Sequence, residues 1–205
     1  KGNTVDLSDS AKMARELISQ GKILAVKGIG GYHLCCNAEA QTAVQRLRTL
    51  KHRPQKPLAI MAHDIEAVYK ICEVSDREKA ILTGSRKPIL LLRKKIPEYL
   101  PEDIAPKQKR LGVMLPYAPL QFLLFSDNLN FLVMTSGNLS GSPICYHDNA
   151  AIKVLGSVAE YFLMHNRKIK VPVDDAVVKI VDDHEVLIRC GRGYAPLTIP
   201  VESGK

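Results

Sequence analysis

Short, continuously apolar segments alternate along the chain with segments whose apolar residues recur at helical spacing. Apolar residues at positions 11, 14, 17 and 18 predict a helix over residues 8–20, which Gly21 ends. The run Ile23-Leu24-Ala25-Val26 then predicts a short buried strand. By the same criteria, further helices are predicted over residues 38–50, 65–71, 75–82, 120–125, 149–155 and 158–163, and further strands over 32–36, 58–61, 88–92, 112–115, 131–134, 177–181 and 186–189.

Local signals set the ends of several of these elements. Asn37 is placed to cap the second helix, and Ser75 begins a capping-box sequence at the fourth. Pro54 and Pro57 prevent the second helix from continuing far beyond residue 50. Residues 96–110 are rich in proline and charge, which predicts a long loop. Buried strands that alternate with helices are typical of an α/β or α+β fold with a large twisted sheet.

The composition is that of an ordinary globular domain. The chain has 205 residues and a mass of 22.7 kDa, and 46% of its residues are hydrophobic and 24% charged. This length predicts a single domain over residues 1–205, large enough to bury a core without disulfides. Disordered, fibrous, coiled-coil and disulfide-scaffold classes are therefore excluded.

The five cysteines indicate a reducing compartment. They include the adjacent pair Cys35-Cys36 but no C-x-x-C motif and no zinc-type spacing with histidine. The N-terminal residues contain no apolar signal segment, and no apolar run approaches the ~20 residues of a membrane span. We therefore expect a cytoplasmic protein without membrane association. Because the sequence starts without methionine, we also expect a piece excised from a longer protein.

The charge balance points to anionic partners. Lysine and arginine total 29 against 21 acidic residues, which gives a formal net charge of +8. Such an excess fits a phosphate pocket, a nucleic-acid surface or simply a solvated basic surface. The chain has no tryptophan and only four phenylalanines, so few aromatic rings are available to stack on single-stranded bases.

The densest basic element is Lys51-His52-Arg53-Pro54-Gln55-Lys56-Pro57, a proline-stiffened loop between a predicted helix and a predicted strand. Its cations could converge on a polyphosphate, with a planar fork from arginine and compact charges from the lysines. A solvated loop at a helix C-terminus, where cations are favoured in any case, explains the same residues.

A second polar element, Thr135-Ser136-Gly137-Asn138-Leu139-Ser140-Gly141, directly follows an apolar strand. Hydroxyls, an amide and glycine backbone at this end of a strand suit a ligand at the edge of an α/β sheet. Such loops also hold phosphate through backbone N–H groups. A plain turn has the same composition.

Three weaker elements complete the candidates. The loop Lys27-Gly28-Ile29-Gly30-Gly31-Tyr32-His33 lacks the Walker sequence and fits either close approach to a ligand or a tight bulge. The basic turn Arg189-Cys190-Gly191-Arg192-Gly193-Tyr194 could close over a phosphate or lie free on the surface. Asp174-Asp175 could hold Mg²⁺ or cap the next element. No G-x-S-x-G elbow accompanies the six histidines, so serine hydrolysis is unsupported.

Taken together, these motifs resemble the YrdC-like domain, whose hallmark is a K-x-R element followed by an S-x-N element. Lys51-x-Arg53 and Ser136-x-Asn138 match those elements. Within that family the sequence is similar to the version found in the HypF carbamoyltransferases of [NiFe]-hydrogenase maturation, through residues 27–34, 51–59, 112–117 and 192–196. The resemblance covers residues 8–196 and implies a YrdC-like fold, in which helices flank a large, twisted, mostly mixed sheet with a basic concave cleft.

The resemblance also implies a reaction, the formation of carbamoyl-adenylate from ATP and a carbamate derived from carbamoyl phosphate. Such a reaction needs positioning and cationic stabilisation of phosphates rather than a covalent nucleophile. Lys51 and Arg53 are then the catalytic residues. The nucleotide-binding residues are Lys51, Arg53, Thr135, Ser136, Asn138, Ser140, Arg189 and Arg192. The carbamoyl pocket is formed by Gly28, Gly30, Gly31, Tyr32, His33 and Lys56.

The same resemblance implies that Mg²⁺ binds together with ATP, although it assigns no protein ligand to the ion. It also implies that the carbamoyl group is used to synthesise the cyanide ligands of the hydrogenase. The acceptor is a maturation protein of the HypE type with a C-terminal cysteine, reached through acylphosphatase, zinc-binding and carbamoyl-transfer domains that this sequence lacks. Three alternatives stay open. One is a threonylcarbamoyl-AMP synthase for tRNA modification, although the first loop is not rich in threonine and tyrosine. The second is a module that binds double-stranded RNA weakly, and the third is a fragment whose pocket works only with its neighbour domains.

Overall fold

Ten strands join into one mixed sheet within residues 7–139 and 141–198, the part of the chain that the computed structural model describes. The helices are α1 (Leu7–Ser19), α2 (Gln41–Leu50), α3 (Ile65–Ile71), α4 (Asp76–Thr83), α5 (Pro119–Phe122) and α6 (Asp148–Leu155), with a 3₁₀ turn at Glu102–Ile104. The strands are β1 (Leu24–Lys27), β2 (Tyr32–Asn37), β3 (Ile60–Ala62), β4 (Cys72–Glu73), β5 (Ile89–Lys94), β6 (Arg110–Met114), β7 (Phe131–Ser136), β8 (Tyr161–Leu163), β9 (Val177–Val181) and β10 (His184–Arg189).

The strands lie in the order β10-β9-β5-β6-β3-β7-β2-β1-β8, and β4 pairs with β5. Strand β3 is parallel to β6, β5 to β9 and β1 to β8, whereas the other pairs are antiparallel. This mixed sheet with flanking helices confirms the predicted fold class.

Both faces of the central strands are covered, which explains their continuously apolar sequences. Along β2, Leu34 packs in one core with Val44 and Leu47 of α2. Its neighbour Cys35 points the opposite way, into a second core that contains Ile18 of α1. The largest fully buried side chains include Tyr32 and Phe131 on the two paired central strands.

Elements with strong local signals form as predicted. Helix α4 has its capping box, in which Ser75 and Glu78 bond each other's backbone N–H groups. The hairpin of β9 and β10 turns at Asp182 and Asp183, whose φ values of 47° and 62° lie in the left-handed region. The expected loop over 96–110 also forms, apart from its 3₁₀ turn and the first residue of β6.

Other predicted elements are wrong or displaced. Residues 158–163 are not a helix, because Tyr161–Leu163 pair in parallel with β1 as an edge strand. Asn37 does not cap α2: it ends β2, and its side chain accepts a hydrogen bond from the N–H of Glu39 (2.9 Å). The predicted helix over 120–125 shortens to Pro119–Phe122, and the strand over 58–61 shifts to Ile60–Ala62. The two-residue strand β4 carried no sequence pattern and was missed.

One long connection brings distant segments to the same end of the sheet. It leaves β8 at one edge and returns to β9 near the other edge, and on its way the N–H of Val173 bonds the carbonyl of Gly30 (2.9 Å). Within the described residues, no helix is long and apolar enough to cross a membrane.

Candidate functional site

Lys51 joins the two motifs that the sequence singled out. It is the C-cap residue of α2 and is only 3% exposed. Its ammonium donates to the carbonyl and side-chain oxygens of Asn138 (3.1 and 3.0 Å) and to the carbonyl of Ser136. The basic loop and the Ser136–Asn138 segment are therefore held against each other through one buried lysine.

Arg53 makes the second bridge between the same two motifs. Its Nη1 donates to the hydroxyl of Thr135 (3.0 Å) at the end of β7. Its Nε donates to the carbonyl of Lys56 (3.2 Å), and Nη2 donates to the carbonyl of Pro57. The guanidinium thus fixes the curve of its own loop while it faces the end of the central strand.

Arg48 is a residue that the sequence interpretation missed. Its side chain is buried, and it donates to the carbonyls of Arg53 (2.7 Å), Pro54 (3.2 Å) and Lys56 (3.2 Å). It also donates to the carbonyls of residues 103 and 104, at 2.5 and 3.3 Å. The only signal in the sequence was its spacing of four residues from Val44, which places an arginine on the apolar face of α2.

The Ser136–Asn138 segment is held from both sides. The hydroxyl of Ser136 donates to Oδ1 of Asn138 (2.9 Å), and Nδ2 of Asn138 donates to the carbonyl of Ser142 (2.6 Å). The N–H of Gly137 bonds the carbonyl of Tyr32 (2.6 Å), so closely that a Cβ at Gly137 would lie 2.6 Å from that oxygen. Only glycine fits there. Ser140, the remaining predicted residue of this segment, lies outside the described residues.

These two segments enclose a cleft of about 320 Å³. Its walls are residues 51–56 on one side and Ser136, Asn138 and Gly141 on the other. Lys56 is exposed at this cleft, in contrast to the buried Lys51. The structure therefore brings the two motifs together around one cleft.

The cations of the cleft act on one another. Burial, Arg53 and Lys56 together lower the pKa of Lys51 to about 7. Burial, Arg48 and Arg189 likewise lower the pKa of Arg53 to about 10. Holding these cations close together costs free energy through charge repulsion, and a bound polyanion would reduce that repulsion.

The glycine loop lies beside this cleft and is tightly packed. The N–H of Gly28 bonds the carbonyl of Gly31 (2.8 Å), and Gly30 and Gly31 pack against Val173 and Ile144 with no room for a Cβ. The Gly28–Gly31 hydrogen bond closes a tight turn, and Gly30 and Gly31 are needed there for packing against the protein itself.

Tyr32 and His33, which follow the glycines of this loop, are each fixed by a carboxylate. The buried phenol of Tyr32 donates to Asp148 (2.7 Å), which also pairs with the buried Lys27 (2.7 Å). Nε2 of His33 lies 2.9 Å from Oδ2 of Asp175. Of the predicted carbamoyl-pocket residues, the glycines and His33 stay together, whereas Tyr32 is engaged inside the core and Lys56 stands on the basic loop.

Asp175 also organises the C-terminal basic turn. Its carboxylate accepts from Nε of Arg192 (2.8 Å), and its carbonyl accepts from Nε and Nη2 of Arg189 (3.0 and 2.8 Å). Although burial opposes it, the hydrogen bonds and charges of His33 and Arg192 hold the pKa of this carboxyl well below its usual range.

The two arginines of that turn face different surroundings. The guanidinium of Arg192 also donates to the carbonyls of Arg86 and Lys87 (3.0 and 2.6 Å) and lies 3.3 Å from the ring centre of Tyr117. Arg189 lies within electrostatic range of Arg53. Arg189 is thus the member of the turn whose charge reaches the cleft, while Arg192 ties the turn to the body of the protein.

Residues that could hold a metal ion are sparse. In the described part of the chain, no three His, Cys, Asp or Glu side chains group together as ligands. Asp174 lies within electrostatic range of Lys51 and so is near the cleft, whereas Asp175 is committed to His33 and the arginines.

Comparison with known proteins agrees with this geometry. The sequence profile of Sua5, YciO and YrdC proteins, described as telomere recombination, matches residues 16–191. The chain belongs to the Sua5/YciO/YrdC family. The YrdC-like fold implied by the Lys51-x-Arg53 and Ser136-x-Asn138 motifs is thereby confirmed.

Among members of the Sua5/YciO/YrdC family, this chain is similar to proteins named carbamoyltransferase HypF. It is 41% identical to the one from Synechocystis over 98% of this chain, and 43% identical to the one from Rhodobacter capsulatus over 96%. A crystal structure described as full-length HypF in the phosphate- and nucleotide-bound form is 44% identical, with a TM-score of 0.90 over 95% of this chain and 26% of that chain. This chain spans about a quarter of the length of these relatives.

Proposed function

We propose that this chain catalyses the formation of carbamoyl-adenylate from ATP and carbamate, as one step of a carbamoyl transfer. The observation that carries the proposal is the convergence of Lys51 and Arg53 with the Ser136–Asn138 segment around one cationic cleft. Support also comes from the likeness to carbamoyltransferases over nearly the whole chain.

The chemistry requires charge stabilisation more than acid or base catalysis. An oxygen of carbamate attacks the α-phosphorus of ATP, the bond from that phosphorus to the bridging oxygen breaks, and pyrophosphate leaves with the electron pair. Negative charge grows on the leaving phosphates, so preorganised cations lower the barrier. The buried Lys51 and the anchored Arg53 supply such cations at fixed positions.

The remaining predicted residues take supporting roles in this proposal. Lys56 and Arg189 extend the positive wall along the triphosphate, and Thr135, Ser136 and Asn138 orient the α-phosphate and the ribose side. Arg192 acts through Asp175 on the position of the turn rather than on the nucleotide. The glycine loop and His33 form the side of the cleft at which the carbamoyl group binds.

Mg²⁺ is proposed to enter with the nucleotide, where it would neutralise phosphate charge. Such ions keep several waters and are usually held by one or two carboxylates together with substrate phosphates. The sparse carboxylates of the cleft fit that pattern, and Asp174 is the candidate ligand. The carbamoyl group would then pass to the C-terminal cysteine of an acceptor protein of hydrogenase maturation.

The proposal is tested by carbamate-dependent exchange of labelled pyrophosphate into ATP, using this chain with Mg²⁺ and freshly dissolved ammonium carbamate. Exchange is expected for the natural chain and for Lys70→Ala, which alters an exposed lysine of α3, and loss is expected for Lys51→Ala. Exchange that requires L-threonine and bicarbonate instead would assign the chain to threonylcarbamoyl-adenylate synthesis. No exchange with either substrate would overturn adenylate formation by this chain.

A further inference from the structure

His52 separates Lys51 from Arg53 in the basic loop, and its backbone closes helix α2. The N–H of His52 bonds the carbonyl of Thr49 (3.1 Å), and the N–H of Arg53 bonds the carbonyl of Arg48 (2.9 Å). These are the two hydrogen bonds of a Schellman motif, in which the residue after the C-cap is usually glycine. His52 holds that position, and its φ of 50° lies in the left-handed region.

A side chain at this position costs free energy that glycine would avoid, because the Cβ crowds the backbone in the left-handed region. Lys107 has a similar φ of 58° and is also exposed, but it does not line the cleft. His52 is exposed and is one of the residues that line the cleft. A ligand in the cleft can therefore reach it.

The cations on either side of His52 have already used many of their hydrogen-bond donors. The ammonium of Lys51 has three N–H groups, and it has three acceptors, the carbonyl of Ser136 and two oxygens of Asn138. Arg53 directs each of its three guanidinium nitrogens at an oxygen of the protein. Lys51 thus gives the cleft a positive charge but no free N–H for a ligand.

The imidazole of His52 has its donor available. Within the described residues, no group makes a hydrogen bond with this side chain. An imidazole carries at least one N–H whether it is neutral or protonated. Hydrogen bonds from such donors to ionised phosphate oxygens are stronger than those between neutral groups. His52 can therefore supply, beside Lys51, the donor that Lys51 lacks.

The position of His52 indicates which phosphates it meets. Ser136 and Asn138 form one wall of the cleft and are assigned above to the α-phosphate. His52 belongs to the other wall, together with the exposed Lys56, which is assigned to the rest of the triphosphate. In the proposed reaction, that part of ATP leaves as pyrophosphate.

We propose that the imidazole of His52 donates a hydrogen bond to the β- and γ-phosphate part of ATP, and so binds the leaving pyrophosphate. This inference rests on the proposed function and adds a binding residue for its leaving group. The side chain is kept at a position that favours glycine because it contacts the ligand.

The test measures affinity and stability in the same variant. His52→Gly removes the imidazole and relieves the left-handed strain. By calorimetry with Mg²⁺, we expect its affinities for inorganic pyrophosphate and for ATP to fall about five- to tenfold, while the affinity for AMP is unchanged. Its midpoint of thermal unfolding should be equal to that of the natural chain or higher by about 2–4 °C. A side chain needed only for the fold would lower the midpoint when removed.

Two kinds of control accompany His52→Gly. Lys107→Gly relieves the same kind of strain away from the cleft lining, so it should keep every affinity. The amide nitrogens of His52→Asn and His52→Gln take the places of Nδ1 and Nε2. At least one of these variants should recover most of the affinity for pyrophosphate, and recovery in neither would overturn the donor role.

The outcomes separate this inference from the function on which it rests. Unchanged pyrophosphate affinity in His52→Gly would overturn the inference, while carbamate-dependent exchange in the natural chain would leave adenylate formation standing. An equal loss of AMP affinity would move the contact to the α-phosphate or the nucleoside and overturn the assignment to pyrophosphate. A lowered midpoint with loss of affinity in all three His52 variants would make the role structural. Failure of the natural chain to bind ATP would overturn both proposals.

Discussion

At the scale of a single residue, two effects act on the charge of Lys51 in opposite directions. Three oxygen acceptors surround its ammonium group, whereas burial, Arg53 and Lys56 lower its pKa to about 7 from the ordinary 10.5. A phosphate in the cleft would favour the charged form and raise this pKa again. If the cleft binds a nucleotide as proposed, binding above pH 7 is expected to be coupled to uptake of a proton.

The pH dependence follows from that coupling. ATP affinity should be highest below pH 7 and should fall as the pH rises above it, by at most about tenfold per unit. Isothermal titration calorimetry from pH 6 to 9 in buffers of different ionisation enthalpy measures both the affinity and the proton uptake. Lys51→Arg keeps the charge throughout this range and should flatten the profile. An equally steep decline in Lys51→Arg would place the titrating group elsewhere.

Arg53 gives a simpler prediction. Arg53→Ala removes a charged hydrogen-bond donor from the cleft and should weaken ATP binding by at least about 1.5–3 kcal/mol, or roughly ten- to a hundredfold. Arg93→Ala, at a side chain that is 72% exposed on β5, should leave the affinity unchanged. Calorimetric affinities of the two variants decide the point, since equal values would remove Arg53 from the nucleotide site.

The sequence predicted the residues that touch the cleft better than those that shape it. Lys51 and Arg53 stand out because they are charged and close together on a proline-rich loop. Arg48 does not, because an arginine in an amphipathic helix is usually solvated. Its role depends on carbonyls of residues 103 and 104, which approach it only in the folded chain. For Asp175 the sequence suggested only a Mg²⁺ ligand or a cap, because its actual partners, His33 and Arg192, are distant in sequence.

At the scale of elements, those whose signals lie in nearby residues could be predicted from the sequence, whereas those decided by tertiary pairing could not. Helix α4 contains its own start signal, and the β9–β10 hairpin contains its own turn, so both could be predicted from nearby residues. The strand Tyr161–Leu163 could not. Its short apolar sequence fits a helix or a strand, and pairing with β1, far away in the chain, decides between them.

The helix α2 and the loop that follows it form one stability unit around Arg48. Arg48→Met should lower the free energy of unfolding by at least about 2 kcal/mol, because buried carbonyls of the loop lose their donor. Arg46 lies two residues earlier on the same helix, and its side chain is 43% exposed. Arg46→Met should therefore change the free energy of unfolding by about 1 kcal/mol or less. Urea unfolding followed by circular dichroism measures both.

The functional consequence separates this role from a purely structural one. If Arg48 shapes the cleft, the folded Arg48→Met variant should also bind ATP more weakly than the natural chain under conditions in which both are fully folded. An Arg48→Met variant that is destabilised but binds ATP normally would show that the loop keeps its shape without the buried guanidinium.

For the molecule as a whole, the net charge of +8 is distributed unevenly between surface and interior. Lys27, Arg48 and Lys51 are buried, and Lys27 and Arg192 pair with carboxylates. A duplex RNA, whose phosphates lie along a wide surface, cannot reach such cations, whereas a single nucleotide can reach those that line a cleft. The buried cations are therefore unavailable to a nucleic-acid face, and the cations that line the cleft suit the small phosphate ligand of the proposed function.

This distribution predicts how the chain responds to double-stranded RNA. Binding through the remaining surface lysines and arginines should be weak, independent of sequence and steeply reduced by salt, with the logarithm of the affinity falling roughly 0.7–0.9 per phosphate contact. Fluorescence anisotropy with a labelled duplex at 50 to 200 mM salt measures this slope. Arg53→Ala should leave RNA binding unchanged while it weakens ATP binding, because in the proposed function only the nucleotide enters the cleft. Tight duplex binding that persists at high salt and is lost in Arg53→Ala would instead assign the cleft to an RNA backbone.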